Sequence, residues 1–175
     1  SLSDKIKLNL VEDETYTVSI IKKDSVTGKA LAGATLVVKD ANGKVVDTTM
    51  GLTPLDGLMM GTRSGAIDPS ILEYVCKESG KDITEITNDL NKKSGFLGVA
   101  GQADCRDVED LMAKGDENAK LAYEMYTDRV AKYIAEYYIK LDGKVDGIVF
   151  TAGVGENGPM FRSIVLRKLN ALGIF

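Results

Sequence analysis

Two glycines separated by one residue follow a short apolar run near the end of the sequence. In "FTAGVGENGPMFR", residues 150–162, Gly153 and Gly155 lie between a segment typical of a buried strand and one with helical spacing. Backbone amides in such a turn can contact a phosphate or a sugar, and Glu156 and Asn157 can hydrogen-bond a ribose or a base. The alternative is a tight strand-to-helix turn without a ligand, in which Asn157-Gly158 is only a turn signal.

A second glycine-rich stretch, "MGLTPLDGLMMGTRSGAIDP" over residues 50–69, contains one arginine, Arg63. An arginine on a glycine-flanked turn ahead of a helix suits a carboxylate or a phosphate, because its donors are arranged for bidentate binding. The alternative interpretation is a surface arginine that only caps the turn.

A third stretch, "ADCRD", places Asp104, Arg106 and Asp107 within one turn. These charges could contact a ligand, or they could form a local ion-paired helix start. The two interpretations remain open from the residues alone.

The composition restricts the chemistry. The 175 residues contain no histidine, which excludes Ser-His and Cys-His catalysis, histidine metal ligands and a histidine proton shuttle. Phosphoryl transfer remains possible, because it depends mainly on positioning and charge neutralisation. The net charge of −4 argues against a general nucleic-acid binder, and the two cysteines predict reduced thiols rather than a disulfide framework. No apolar run suggests a membrane span or a signal peptide.

The pattern of the chain changes near residue 46. Before it, alternating and β-branched residues with Asn42-Gly43 as a hairpin signal predict mostly strands over Leu8–Thr49. After residue 50, helices and glycine turns with one buried strand indicate an α/β organisation, in which ligands gather at the carboxyl ends of strands. The predicted elements are helices over Pro69–Ser79, from Asp82 to about Leu90, over Val108–Lys114, over Asp116–Leu141 and from Pro159, a loop over Asn91–Gly101, and a strand over Asp146–Thr151.

The longest predicted helix has an apolar face that contains tyrosines at helical spacing. Tyr126, Tyr133 and Tyr137 are interpreted as core residues rather than as a platform for stacking bases. A row of charges that recurs every four residues is interpreted as the solvated face of this helix.

These stretches, in this order, resemble the acetate kinase family. The resemblance covers about residues 44–175 and rests on "TTMGLTPLDGLMMGTRSGAIDPSI", "LNKKSGFLGVAG", "CRDVED" and "GIVFTAGVGENGPMFR", with the long helix between the last two. It implies a partial actin-like ATPase domain with a ribonuclease-H-like fold, a homodimer, and transfer of the γ-phosphoryl group of ATP to acetate or another short carboxylate with Mg²⁺.

The resemblance also implies roles for individual residues. Arg63 would contact the carboxylate and the transferring phosphoryl group as the catalytic residue, and Pro54 would line the pocket for the acetate methyl group. Asp104 and Arg106 would flank the adenosine of ATP or ADP. The other wall of the nucleotide site would be formed by Gly153, Val154, Gly155, Glu156 and Asn157.

Several parts of the family pattern are missing from this sequence. The first half, with a phosphate motif, a catalytic aspartate and two histidines, has no counterpart, and neither does a closing segment with an Mg²⁺-linked glutamate. The place of a glycine-rich phosphate loop holds "ALAGATL", Ala30–Leu36. We therefore expect the metal-linked groups to lie outside this chain and the chain alone to be weakly active or inactive.

The first 46 residues have a different character. "YTVSIIKKDSVTGKALAGATLVVKDANGKVV" resembles the B-type repeat of bacterial collagen adhesins and pilins, in which Lys22 or Lys23 would be the isopeptide lysine. The usual acidic residue is missing, so we expect no isopeptide bond. The predicted division is therefore a β-rich segment over residues 1–46 and an acetate-kinase-like part over residues 47–175. We expect a cytoplasmic protein without nucleic-acid or membrane partners. The alternative is a non-catalytic, extracellular adhesion fragment or an inert fusion scaffold.

Overall fold

The computed structural model of the chain describes residues 5–9, 15–19, 37–39 and 45–174. The chain divides into two compact units, Ser1–Thr35 and Leu36–Phe175. The strands are β1 (Lys5–Asn9), β2 (Thr15–Ser19), β3 (Val37–Lys39) and β4 (Val45–Thr48). The helices are α1 (Ser70–Ser79), α2 (Ile83–Lys92), α3 (Gly95–Ala100), α4 (Cys105–Ala113), α5 (Glu117–Lys140), α6 (Ala152–Asn157) and α7 (Pro159–Leu169), followed by a 3₁₀ turn over Asn170–Leu172.

The strands form two separate antiparallel pairs. In the first unit β1 pairs with β2, with Lys5 opposite Ser19. In the second unit β3 pairs with β4, with Val37 opposite Thr48 and an irregularity after Val38. The predicted Asn42-Gly43 turn, the candidate isopeptide lysines Lys22 and Lys23, and all of Ala30–Leu36 lie outside the described residues. The β-rich segment over residues 1–46 therefore stays a prediction.

Aspartates begin the helices α2 and α5 as the sequence predicts. The Asp82 carboxylate accepts a hydrogen bond from the Glu85 amide, and the Glu85 carboxylate accepts one from the Asp82 amide, both at 2.9 Å. Asp116 accepts from the Ala119 amide at 2.8 Å. Each cap satisfies amides that have no partner inside the helix. The capping box of α2 and the capped start of α5 are both confirmed.

The core of the second unit surrounds α5, which contacts α3, α4 and α7. Tyr126 and Tyr137 are buried there, so the interpretation of these tyrosines as core residues is confirmed. Tyr126 lies in an aromatic chain that runs from α3 across α5 to α7 and the segment before α6. Its ring centroids are 5.1 Å apart for Phe96–Tyr126, 5.4 Å for Tyr126–Phe161 and 5.8 Å for Phe161–Phe150.

Two predicted elements are wrong. The segment Asn91–Gly101 was predicted as a loop, but it contains α3, because Phe96 is buried against Tyr126 and this packing outweighs the glycine content. The segment Asp146–Thr151 was predicted as a strand, but the structure has none there. Backbone groups of Gly147–Phe150 form no hydrogen bond with any described residue, and a strand requires such a partner.

Two helix starts are also shifted. The helix α4 begins at Cys105 rather than at Val108, since Asp104 caps it. The helix α1 begins at Ser70, one residue later than predicted. The described part is thus mostly helical with little strand. Within it, no helix combines the length and the apolar character needed to cross a membrane.

Candidate functional site

Residues 57–66, which we call the Arg63 loop, form a closed turn ahead of α1. The amide of Ala66 donates to the Gly57 carbonyl at 3.0 Å, and the amide of Met60 donates to the Arg63 carbonyl at 3.0 Å. Gly57 and Gly65 adopt left-handed backbone conformations with φ of 86° and 72°. Glycine accommodates these angles without steric cost, which lets the loop close on itself.

Long-range hydrogen bonds fix the Arg63 loop to α2 and α3. They join residues that are about 30 positions apart in the sequence, so tertiary structure holds the loop in addition to its own turns. These bonds are Ser64 amide to Leu90 carbonyl (3.0 Å), Thr62 hydroxyl to Asn91 carbonyl (2.9 Å), Ser94 amide to Thr62 carbonyl (3.0 Å), Phe96 amide to Met60 carbonyl (3.0 Å) and Leu97 amide to Gly61 carbonyl (2.8 Å).

Gly95 allows this close packing. It has a φ of 64°, and a β-carbon at this position would lie 2.0 Å from the Met60 carbonyl oxygen and 2.7 Å from that of Arg63. Only glycine fits such an approach of two backbones. The sequence motif around Gly95 therefore supports the Arg63 loop, a role that the sequence analysis did not assign.

The Arg63 side chain is half-buried and has donors available for an anion. Among the described residues its only hydrogen-bond contact is from Nη1 to the Met60 sulfur, at 3.7 Å. Thioether sulfur is a weak acceptor. Pro54, the predicted neighbour of the acetate methyl group, is half-buried in the stretch before the loop, and the described contacts do not bring it to Arg63.

Asp104 and Arg106 pair with each other at the start of α4. Arg106 Nε lies 3.0 Å from Asp104 Oδ1, and Nη2 lies 2.6 Å from Oδ2. Asp104 also accepts from the Arg106 amide as the cap of the helix. The guanidinium and this amide lower the pKa of the Asp104 carboxyl to about 2. The ion-paired helix start is thus confirmed, and contact with adenosine stays a prediction.

The Arg63 loop lies directly against the residue that precedes Asp104. A β-carbon on Gly61 would be 2.6 Å from the Ala103 carbonyl oxygen. Two of the three sequence stretches that were selected for their chemistry are therefore in contact in the structure, although about 40 residues of sequence separate them.

A hydrogen-bonded group of side chains between α4 and α5 was missed by sequence reasoning. The Tyr123 hydroxyl donates to Glu109 Oε1 at 2.5 Å, and the Cys105 sulfur lies 3.9 Å from the same oxygen. Burial raises the pKa of the Cys105 thiol to about 12, with Glu109 and Asp104 adding to the effect, and burial also raises the pKa of Tyr123. The three-residue spacing of Tyr123 from Tyr126 is a signal that Tyr123 is internal, but spacing cannot identify a partner on another helix.

The glycine stretch around Gly153 and Gly155 forms α6, a single short helix. Gly153 is exposed, and a β-carbon there would meet nothing within 4 Å, whereas one on Gly155 would lie 2.9 Å from the Phe150 carbonyl carbon. The close approach at Gly155 is therefore to its own chain. Val154 is half-buried, and Glu156 and Asn157 are exposed.

Arg162 of α7, which the sequence analysis did not select, supports this helix. Its Nη1 donates to the Gly155 carbonyl at 2.6 Å and to the Glu156 carbonyl at 2.8 Å. No described contact joins α6 to Asp104 or Arg106. The aromatic chain from Phe96 to Phe150 is the packing that lies between the Arg63 loop and α6.

The described residues form no cluster of metal ligands. Within residues 5–9, 15–19, 37–39 and 45–174, no three acidic or cysteine side chains gather in a group that could hold a metal ion by themselves. We derive no step of a mechanism through Mg²⁺ at this site.

Comparison with known proteins shows the family of this chain. The model of the Acetokinase family matches residues 22–175. The chain belongs to this family. It is 47% identical over 164 residues to the acetate kinase of Francisella tularensis subsp. holarctica, an alignment that covers 93% of this chain and 42% of the relative. It is 57% identical over 134 residues to the acetate kinase of Mesoplasma florum, covering 76% and 34% respectively.

Solved structures of the family share the fold. A propionate kinase from Francisella tularensis subsp. tularensis superposes with a TM-score of 0.76 at 52% identity, covering 79% of this chain and 35% of that chain. The Porphyromonas gingivalis acetate kinase gives a TM-score of 0.75 at 43% identity, covering 81% and 35%. The chain spans 42% and 34% of the length of the two acetate kinases described above.

Proposed function

We propose that this chain supplies the carboxylate-binding and adenosine-binding parts of a carboxylate phosphotransferase. In the reaction, an oxygen of acetate or another short carboxylate attacks the γ-phosphorus of ATP. The bond to the β–γ bridging oxygen breaks, which gives an acyl phosphate and ADP. The relatives are named acetate kinase and propionate kinase, which supports a short carboxylate as the substrate.

The observation that carries this proposal is the contact between the Arg63 loop and the start of α4. In this contact Gly61 packs against Ala103, the residue before Asp104, and Arg63 follows Gly61 by two residues with one weak hydrogen bond among the described residues. In the proposal, Arg63 binds the carboxylate and stabilises the charge that develops on the phosphoryl group, and Pro54 lines the methyl pocket. Asp104 and Arg106 contact one side of the adenosine, and Gly153, Val154, Gly155, Glu156 and Asn157 contact the other.

Other features complete the proposal. We propose the actin-like ATPase fold, a homodimer in the cytoplasm and use of Mg²⁺, with its ligands outside the described residues. Transfer requires several groups to act together, and this chain spans less than half of the relatives described above. We therefore expect weak or no turnover by the chain alone.

The first test is calorimetric titration of ADP, in a buffer that contains magnesium, into this chain and two variants. Gly153→Val adds a side chain at the proposed adenosine wall, and Gly147→Val is the matched control, because a β-carbon meets nothing within 4 Å at either position. We expect saturable binding that Gly153→Val weakens by about tenfold, the equivalent of losing one favourable contact, and that Gly147→Val preserves. Equal affinities for the two variants would remove α6 from the site.

The second test concerns Arg63. At the matching position of a full-length relative, an Arg→Ala change should lower kcat by at least about a hundredfold, because it removes a group that stabilises the transition state. The melting temperature should change little, since among the described residues the Arg63 side chain makes only one hydrogen bond, a weak one. A rise in KM for acetate with unchanged kcat would assign Arg63 to ground-state binding instead.

We also propose that residues 15–46 derive from an adhesin-type repeat without an isopeptide bond. Support comes from the sequence pattern and from the antiparallel pairs that β1–β2 and β3–β4 form. The family match from residue 22 overlaps this stretch. Hydrogen exchange tests the proposal: we expect protected amides in Thr15–Ser19 and Val37–Lys39 and an intact mass without loss of ammonia. Unprotected amides there would contradict it.

A further inference from the structure

Arg129 of α5 is hydrogen-bonded to the Arg63 loop, which also has bonds to α2 and α3. Its Nη1 donates to the Ala66 carbonyl at 2.7 Å and lies 3.4 Å from the Gly57 carbonyl. Arg129 is half-buried, and it is separated from these residues by 63 and 72 positions in the sequence. It is therefore a tertiary contact between the longest helix and a loop that carries a proposed catalytic residue.

The two carbonyls are at the two ends of the loop. Gly57 also accepts the amide of Ala66 at 3.0 Å, so the guanidinium binds where the loop closes. Gly57 itself fits tightly, because a β-carbon on it would lie 2.0 Å from the Thr49 carbonyl oxygen. A cation shared by both ends keeps them together and limits how far the residues between them can move.

The position of Arg129 on α5 also restricts the movement of its guanidinium. The neighbouring residues in the helix, Tyr126, Thr127 and Val130, are all buried, so the backbone that carries Arg129 is fixed by core packing. Among the described residues, no carboxylate forms an ion pair with Arg129. Its charge is compensated by carbonyl dipoles, and hydrogen bonds to a charged donor are stronger than those between neutral groups.

We propose that Arg129 is a positioning residue that orders the Arg63 loop for carboxylate binding. This inference rests on the proposed function for the role of Arg63, while the hold of Arg129 on the loop is tested without any ligand. The side chain does not touch the substrate in this proposal. It acts by keeping the backbone that carries Arg63 in the orientation set by α2 and α3.

The first experiment measures amide hydrogen exchange in Arg129→Met, Arg129→Lys and Arg167→Met. Arg167 is an exposed arginine at the end of α7 and provides the matched control. In Arg129→Met we expect the Ala66 and Met60 amides to exchange at least about tenfold faster, equivalent to the loss of one hydrogen bond to a charged group. Amides within α2 should be unchanged.

The lysine variant separates the charge from the geometry. It retains a cation but not the guanidinium, and we expect partial protection of Ala66 between the values of wild type and Arg129→Met. If the Ala66 and Met60 amides exchange at the same rates in Arg129→Met as in Arg167→Met, the proposal is overturned. If Arg129→Met does not fold, exchange in Arg129→Lys decides, and protection equal to that of wild type would overturn it.

The second experiment follows the Arg63 Nε resonance by NMR during titration with acetate. We expect Arg129→Met to need about tenfold more acetate for half-saturation and to keep the affinity of wild type for ADP. If Arg129→Met has faster amide exchange in the loop but the acetate affinity of wild type, the positioning role is overturned. If wild type binds neither acetate nor ADP, the proposed function fails, and the exchange data alone decide whether Arg129 orders the loop.

Discussion

The Arg63 loop and α6 are both glycine-rich segments that were selected for the same kind of chemistry, but different interactions hold them. The Arg63 loop has backbone and side-chain bonds to α2, α3 and α5. The helix α6 is held by Arg162 and by packing of Phe150 on Phe161. The residues just before α6, Gly147–Phe150, have no backbone hydrogen bond to any described residue.

This difference shows which part of the proposed site is complete within the described residues. The Arg63 loop has its hydrogen-bond partners in helices of the same unit. The segment before α6 has the composition of a buried strand, yet Val149 is 41% exposed. Among the described residues its backbone groups have no neighbour of the kind that a strand requires. We therefore expect the loop to be ordered and the segment before α6 to open more readily.

The largest expected difference is in amide exchange. Amides of Ser64, Phe96 and Leu97 should exchange at least about a hundredfold more slowly than those of Ile148 and Val149, because local opening of an unpaired segment costs little free energy. Hydrogen exchange followed by NMR on the wild-type chain measures this ratio. Similar protection in the two segments would show that Ile148 and Val149 have a hydrogen-bonded partner.

Substitution at Gly95 tests the packing of the Arg63 loop. Gly95→Ala should lower the free energy of unfolding by about 3 kcal/mol or more, because it combines a left-handed conformation with overpacking against Met60. Gly101→Ala is the control, since Gly101 has a similar φ of 73° in open space, and it should cost only about 1–2 kcal/mol. Urea denaturation provides both values. Equal losses would mean that the close approach at Gly95 relaxes without cost.

The two glycines of α6 should respond to alanine with opposite signs. At Gly155 the new methyl group would lie 2.9 Å from the Phe150 carbonyl carbon, so we expect a loss of about 1–2 kcal/mol in unfolding free energy. At exposed Gly153 the space is open, and alanine should stabilise the protein by up to about 1 kcal/mol through helix propensity. The same urea measurement applies. A stable Gly155→Ala variant would show that Phe150 moves easily.

The smallest effect is a change in titration at the start of α4. Arg106→Met should raise the pKa of Asp104 from about 2 toward its ordinary value of 3.8, since the guanidinium contributes most to the shift. A lowered folded-state pKa stabilises the fold above pH 3.8, and this contribution is lost as the pH falls from 3.8 to about 2. The difference in stability between wild type and Arg106→Met should therefore disappear across that range.

NMR titration of the Asp104 carboxyl measures this pKa directly. Arg167→Met serves as the control, because Arg167 has no contact with Asp104 among the described interactions. An unchanged Asp104 pKa in Arg106→Met would assign the shift to the backbone amide at the cap.

Local rules predicted the features that depend on a few neighbouring residues. The capping box of α2 and the Asp116 cap of α5 are confirmed, because each rests on side chains within three residues of a helix start. The predictions for Asn91–Gly101 and Asp146–Thr151 are wrong for the same reason, because each element depends on contacts with residues outside the segment. The first segment was decided by burial of Phe96 on a distant helix, and the second by the need of a strand for a neighbour.

The sequence by itself determined the family, the capped starts of α2 and α5, and the residue types that could bind a carboxylate and a nucleotide, because these depend on short motifs and local hydrogen bonds. Only the tertiary structure decided that the Arg63 loop contacts the start of α4, that Gly95 and Arg129 support the loop, and that Gly155 packs on Phe150. These are contacts between residues that are distant in sequence or between backbone atoms. Side-chain patterns do not encode such distances, which appear only when the helices pack.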